Sequence, residues 1–137
     1  MTYRRFMPSL VLAVGVLLVG STAVLAQGRS SVLLDRFTPG EWELRSREGR
    51  GEPQRLCVRD ARRFIQMRHA GQKCGQTVIE DGPDEITVQY TCPGNGYGRT
   101  HIRRETDDLW QIESQGIAQG RPFTFDAEVR RVGRCKA

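Results

Sequence analysis

The chain is short of the residues that metal and acid–base chemistry need. It has only two histidines, His69 and His101, and its four cysteines, Cys57, Cys74, Cys92 and Cys135, nowhere approach the short spacing of a zinc clip. No metal site and no cofactor is therefore expected. A Gly-x-Ser-x-Gly elbow, a phosphate loop and a metalloprotease helix are all missing, and no nucleophile is paired with a base, so the sequence points to no catalytic residue and not to an enzyme. Gly94-Asn95-Gly96-Tyr97-Gly98 is glycine-rich but leads into a strand, which makes it a hairpin turn with no helix N-terminus to meet a phosphate. His101 stands on the polar side of its strand and reads as a surface residue, and the turn acids Asp81, Asp84 and Glu85 read as solvated. Lysine is nearly absent: Lys73 and Lys136 are the only two, and arginine carries the rest of the positive charge.

One long apolar run is present, at the N-terminus. Arg4 and Arg5 precede an almost continuously apolar stretch from Met7 to Val19, and Ala23-Val24-Leu25-Ala26 offers small residues at the two positions a signal peptidase reads. Residues 1–26 are thus expected to be a signal peptide cleaved after Ala26. An uncleaved anchor is the rival reading, since residues 6–26 span a bilayer if tilted, but the run decays into Gly20-Ser21-Thr22. Gln27 follows the cleavage site, so no lipid-attachment cysteine stands there, and Arg4-Arg5 lacks the context of a twin-arginine signal. Subtracting Arg4 and Arg5 from the 21 basic residues leaves 19 against 16 acidic ones, a mature charge of +3. A mildly basic exported chain is not expected to bind nucleic acid, nor to remain an integral membrane protein once cleaved.

Residues 27–37 read as a loose lead-in and residues 38–137 as a single β-rich domain. The clearest element is Glu85-Ile86-Thr87-Val88-Gln89-Tyr90-Thr91-Cys92, where apolar and polar residues alternate between two turn signals. Similar alternation marks strands at Glu41-Trp42-Glu43-Leu44-Arg45, at Gln54-Arg55-Leu56-Cys57, at Thr77-Val78-Ile79, from 97 to 104, from 109 to 114 and from 123 to 129. The parity inverts between Val129 and Val132, which places a bulge near Arg130-Arg131. Residues 58–67 are the one helical candidate: Val58, Ala61, Phe64 and Ile65 fall on one side and Arg59, Arg62, Arg63 and Gln66 on the other, with Gly71 as the stop just beyond. The fold class is mainly β: an antiparallel meander or half-barrel of about six to seven strands with one short helix.

Four cysteines, all after the leader, make a disulfide-stapled domain of an oxidising compartment. Strand parity brings Cys74 and Cys92 to one end of the sheet and Cys57 and Cys135 to the other, which favours Cys74–Cys92 with Cys57–Cys135. The sequential pairing, Cys57–Cys74 with Cys92–Cys135, is a close rival if the helix is shorter or turns back.

Pro39-Gly40-Glu41-Trp42-Glu43, Leu56-Cys57-Val58, Cys74 opening a strand, Tyr90-Thr91-Cys92-Pro93 and the final Arg131-Val132-Gly133-Arg134-Cys135 together resemble the bacterial envelope family catalogued as domain of unknown function 3617, over residues 38–135. The resemblance implies a small exported β-rich protein of proteobacterial type, with no established activity or catalytic residues to carry over. Many members look like lipoproteins, and this chain departs from them in lacking the lipid-attachment cysteine.

The function expected is a non-catalytic binding or accessory role in the envelope, through the sheet face or within a half-closed barrel, with an envelope protein or an anionic envelope component as partner. A periplasmic inhibitor of a hydrolase is the alternative, although an inhibitor of a basic lysozyme should be acidic and this chain is not. A further alternative is a basic helix face, Arg59, Arg62 and Arg63 extended by Arg55, that binds anionic lipid or cell-wall polymer; Asp60 partly neutralises it.

Overall fold

The alternating stretches become strands in the computed structural model, which describes residues 31–49 and 51–136. A short helix α1 (Val32–Asp35) is followed by β1 (Gly40–Ser46), β2 (Gln54–Val58), two 3₁₀ turns (Ala61–Phe64 and Met67–His69), β3 (Gly75–Asp81), β4 (Glu85–Cys92), β5 (Gly96–Thr106), β6 (Leu109–Ala118) and β7 (Arg121–Gly133). The seven strands form one sheet in the order β2-β1-β7-β6-β5-β4-β3 with antiparallel neighbours throughout. Strands β3 to β7 are the expected meander. The first hairpin docks its β1 strand beside β7, with Leu44 opposite Val129, so the sheet stays open at β2 and β3 and the mainly β reading stands.

One face carries the core. Trp42 and Leu44 of β1, Ile86, Val88 and Tyr90 of β4, Ile102 of β5, Trp110 and Ile112 of β6 and Val129 of β7 are all buried. Each fully buried large apolar side chain removes enough surface from water to contribute about 1.5–3 kcal/mol. Phe37 stacks on Trp42 with centroids 4.8 Å apart and meets Phe64 and Trp110 edge-on at 5.8 and 5.3 Å. These offset and edge-to-face contacts are the preferred aromatic geometries, so the cluster locks the N-terminal segment onto the sheet.

Two expectations need correction here. The lead-in over residues 27–37 is not loose from Ser31 onward: the Ser31 hydroxyl accepts from Leu34 N and caps α1, and Leu33, Leu34 and Phe37 are buried. A single helical turn is too short to show a period, which is why alternation missed it. The helix expected over residues 58–67 is instead the end of β2 and two 3₁₀ turns. Asp60 restarts the chain by accepting from Arg62 N at 2.9 Å, and Gln66, at φ −121° and ψ 45°, separates the turns. Val58, Ala61 and Phe64 are buried as their pattern required, but a spacing of three suits a 3₁₀ turn as well as an α-helix.

The bulge lies one residue beyond Arg130-Arg131. Glu41 pairs with Gly133 and Trp42 with Arg131, leaving Val132 as the extra residue. The disulfides join Cys57 to Cys135 and Cys74 to Cys92, the pairing that strand parity favoured over the sequential one. The first ties edge strand β2 across β1 to the chain beyond β7, and the second ties edge strand β3 to β4. Two such bonds are the chemistry of an oxidising compartment. The expected leader, residues 1–26, and its cleavage site lie outside the described residues. Among the described residues no helix is long and apolar enough to cross a membrane.

Candidate ligand-binding recess

Arg59, Arg62 and Arg63 line one shallow hollow of about 370 Å³ with Cys57 and Asp60, but Arg62 and Arg63 lie in a 3₁₀ turn with Arg59 just before it, and the three are not a helix face. Arg62 is engaged by the protein's own carboxylates, Asp35 at 2.8 Å and Asp60 at 3.2 Å, and the hydrogen bond to Asp35 is the chief cause of a guanidinium pKa held above its ordinary value. Arg63 donates to the Cys57 carbonyl at 3.2 Å, and Arg55 pairs with Glu43. The three arginines are therefore brought together, with the middle one already neutralised. The turn acids have partners as well: Asp81 accepts from Ser31, Asp84 from Arg104, and Glu85 lies 3.3 Å from His101. Among the described residues no group of three or more histidines, cysteines and carboxylates is placed to hold a metal.

A better-formed site lies where the second 3₁₀ turn crosses the end of the sheet. His69 is 1% exposed. Its Nε2 lies 3.0 Å from the Asn95 carbonyl and its Nδ1 3.2 Å from the Tyr90 hydroxyl. A carbonyl only accepts, so the neutral ring carries its proton on Nε2 and Nδ1 accepts from Tyr90. Burial pushes the Tyr90 pKa up, which keeps the phenol protonated for that role. His69 thus has both ring nitrogens engaged by the protein's own groups. It clamps the turn to the sheet.

The Asn95 carbonyl also accepts from Gln119 N at 3.3 Å, which draws in the turn between β6 and β7. Gln119 and Gly120, at φ 52° and 73°, are the two central residues of that turn, and positive φ at both is the backbone that continues the twist of a tight hairpin. The hairpin brings Arg121 to the recess from one side, and the 3₁₀ turn brings Arg68 from the other. Arg68 lies over the Phe123 ring, 5.6 Å from its centroid. The space between them, about 440 Å³, is lined by Arg68, Gln72, Asn95, Gln119 and Arg121. A second recess of about 550 Å³, reaching Glu48, Glu52 and Phe125, continues on the other side of Arg68.

Among the described residues no carboxylate lies within ion-pair distance of Arg68 or Arg121, in contrast to Arg62. Two unpaired guanidiniums beside amide groups form a donor set that matches a carboxylate or phosphate. Sequence reasoning missed this pair. Fifty-three positions separate Arg68 from Arg121, and no local spacing relates the two.

Comparison with curated proteins and with solved structures finds no match. A family model described as "Protein of unknown function (DUF3617)" matches residues 37–135, from the aromatic that stacks on Trp42 to the cysteine that closes the long disulfide. The chain belongs to the DUF3617 family.

Proposed function

We propose that this protein is a non-catalytic binding domain of the bacterial envelope, exported with residues 1–26 removed after Ala26, and that it holds an anionic group in the recess between Arg68 and Arg121. The observation that carries the reading is that these two guanidiniums share one recess and that, among the described residues, no carboxylate lies within ion-pair distance of either. A charge-assisted hydrogen bond is worth about 1.5–3 kcal/mol, so an anion bridging them gains bonds that no carboxylate among the described residues makes. The anion expected from sequence at Arg59, Arg62 and Arg63 would have to displace Asp35 and Asp60 from Arg62 first.

Calorimetric titration with inorganic phosphate at low salt, followed by co-sedimentation with anionic and neutral vesicles, tests the site and separates free phosphate from lipid headgroups. Arg121→Gln should weaken binding roughly tenfold or more, and the triple change of Arg59, Arg62 and Arg63 to Gln should leave it nearly unchanged. Binding should also fade as salt rises. The reverse ranking would return the site to the Arg62 turn, and no binding to phosphate or anionic vesicles at low salt would remove the anionic reading altogether. N-terminal sequencing of the exported protein should begin at Gln27, and recovery of residue 1 in the membrane fraction would make it an anchored protein instead.

A further inference from the structure

The face of the sheet opposite the core is not covered by any element among the described residues, and its polar side chains fall into two zones. Toward one end they bond to each other: Glu43 takes Arg45 and Arg55, Gln111 lies between Arg47 and Glu128, Glu80 accepts from Thr87, and Glu85 meets His101. Toward the other end Gln89, Arg99 and Gln115 form one cross-strand row on β4, β5 and β6, and among the described residues none of the three has a side-chain hydrogen-bond partner. The next row out holds Tyr97, 51% exposed and the sole exposed aromatic among the described residues.

These residues line one trough of about 470 Å³. Pro122 and Thr124 of β7 close its far side, and its floor is the bare backbone at Gly98 and Gly116. A Cβ on Gly116 would lie 2.1 Å from the Tyr97 carbonyl oxygen, so glycine there is what lets β5 and β6 run this close. Arg99, Gln115 and Thr124 also line an adjoining hollow of about 250 Å³ with His101, Glu113 and Asp126, which makes the depression continuous along the strands. From Tyr97 to His101 it runs for roughly 13 Å at ~3.3 Å per residue.

We infer that this trough binds a saccharide chain. Each carboxamide presents donors and an acceptor on a flat group, and the guanidinium presents a fork of donors. Vicinal sugar hydroxyls both donate and accept, and so can engage a whole row of such groups at once. The exposed phenol ring offers an apolar face to the C–H side of a pyranose, with its hydroxyl left at the wet edge. Charge decides between ligand classes: Glu113 and Asp126 line the adjoining hollow with Arg99, two carboxylates to one guanidinium along the depression, so it suits a neutral polyhydroxylated chain better than an anion. The trough and the Arg68–Arg121 recess meet at Pro122 and Phe123, which line both.

Amide chemical-shift titration of the isotope-labelled chain with the tetramer of N-acetylglucosamine and with maltotetraose tests the inference. Shifts should be confined to residues 89, 97–99, 115–117 and 122–124. Tyr97→Ala should weaken binding roughly three- to tenfold, Tyr97→Phe should restore most of it because the stacking ring is kept, and Gln89→Ala with Gln115→Ala should weaken it further. Tyr97 is exposed, so unchanged near-ultraviolet circular dichroism of its variants confirms that the fold is intact. The inference is overturned if neither sugar shifts the trough, if shifts appear elsewhere instead, or if Tyr97→Ala binds like the wild type.

Discussion

Gly98 has an ordinary φ, so the backbone would accept alanine there, but the space would not. A Cβ on Gly98 would lie 2.4 Å from the Tyr90 hydroxyl oxygen and 2.5 and 2.7 Å from two of its ring carbons. Ordinary contact would require the ring to retreat by about 1 Å, and Tyr90 is 1% exposed and bonded to His69, itself held by Asn95. Overpacking of this kind costs about 1–3 kcal/mol and the strained hydrogen bond about 0.5–1.5 more. Replacing glycine by alanine returns about 0.4–1 kcal/mol through the unfolded chain. Gly98→Ala should therefore destabilise by about 2 kcal/mol, a fall in Tm on the order of 8–16 °C for a domain of this size. In a Tyr90→Val background the obstacle is gone, and the same substitution should turn neutral or stabilising by about 0.5 kcal/mol. Urea unfolding followed by the fluorescence of the buried Trp42 and Trp110 measures all four corners of this cycle. If Gly98→Ala costs as much in the Tyr90→Val background as in the wild type, the glycine is not there to admit the ring and the reasoning fails.

Paired change of Cys57 and Cys135 to Ala opens a loop with a sequence separation of 78 and should cost about 4.5 kcal/mol in the chain-entropy picture, against about 3 kcal/mol for Cys74 and Cys92 with a separation of 18. Equal or inverted losses in urea melts would show that something other than loop length sets the contribution. Tyr90 links stability to alkaline pH: burial raises its folded pKa above the usual 10.0, so its contribution is fully present below that value and is lost as pH rises from there through the folded pKa. Tyr90→Phe should flatten the alkaline arm of the stability profile, and an arm that stays unchanged would assign it to other groups.

The strands that line the core were legible because each of them keeps one face on it. Ile86, Val88, Tyr90 and Cys92 alternate with the polar face of β4, and Trp42 and Leu44 do the same on β1, so period two can be read from a single strand without knowing its neighbours. The same parity was enough to favour the observed disulfides, because strand direction fixes which end of the sheet a cysteine reaches. The N-terminal turn and the 3₁₀ turns were hidden for a different reason. One turn of helix has no measurable period, and a spacing of three is common to two kinds of helix.

What the sequence determined by itself is burial parity, the turns between consecutive strands, the oxidising setting and the family, all of them carried by residues near one another in the chain. Only the tertiary structure decided that β1 lies beside β7, that Phe37 meets Trp110, and that Arg68 and Arg121 share a recess while Arg62 is held by Asp35. Each of these contacts closes a long loop at an entropic cost that no local pattern records. They form because the whole core repays that cost at once, so they are properties of the assembled sheet and not of any stretch of sequence within it.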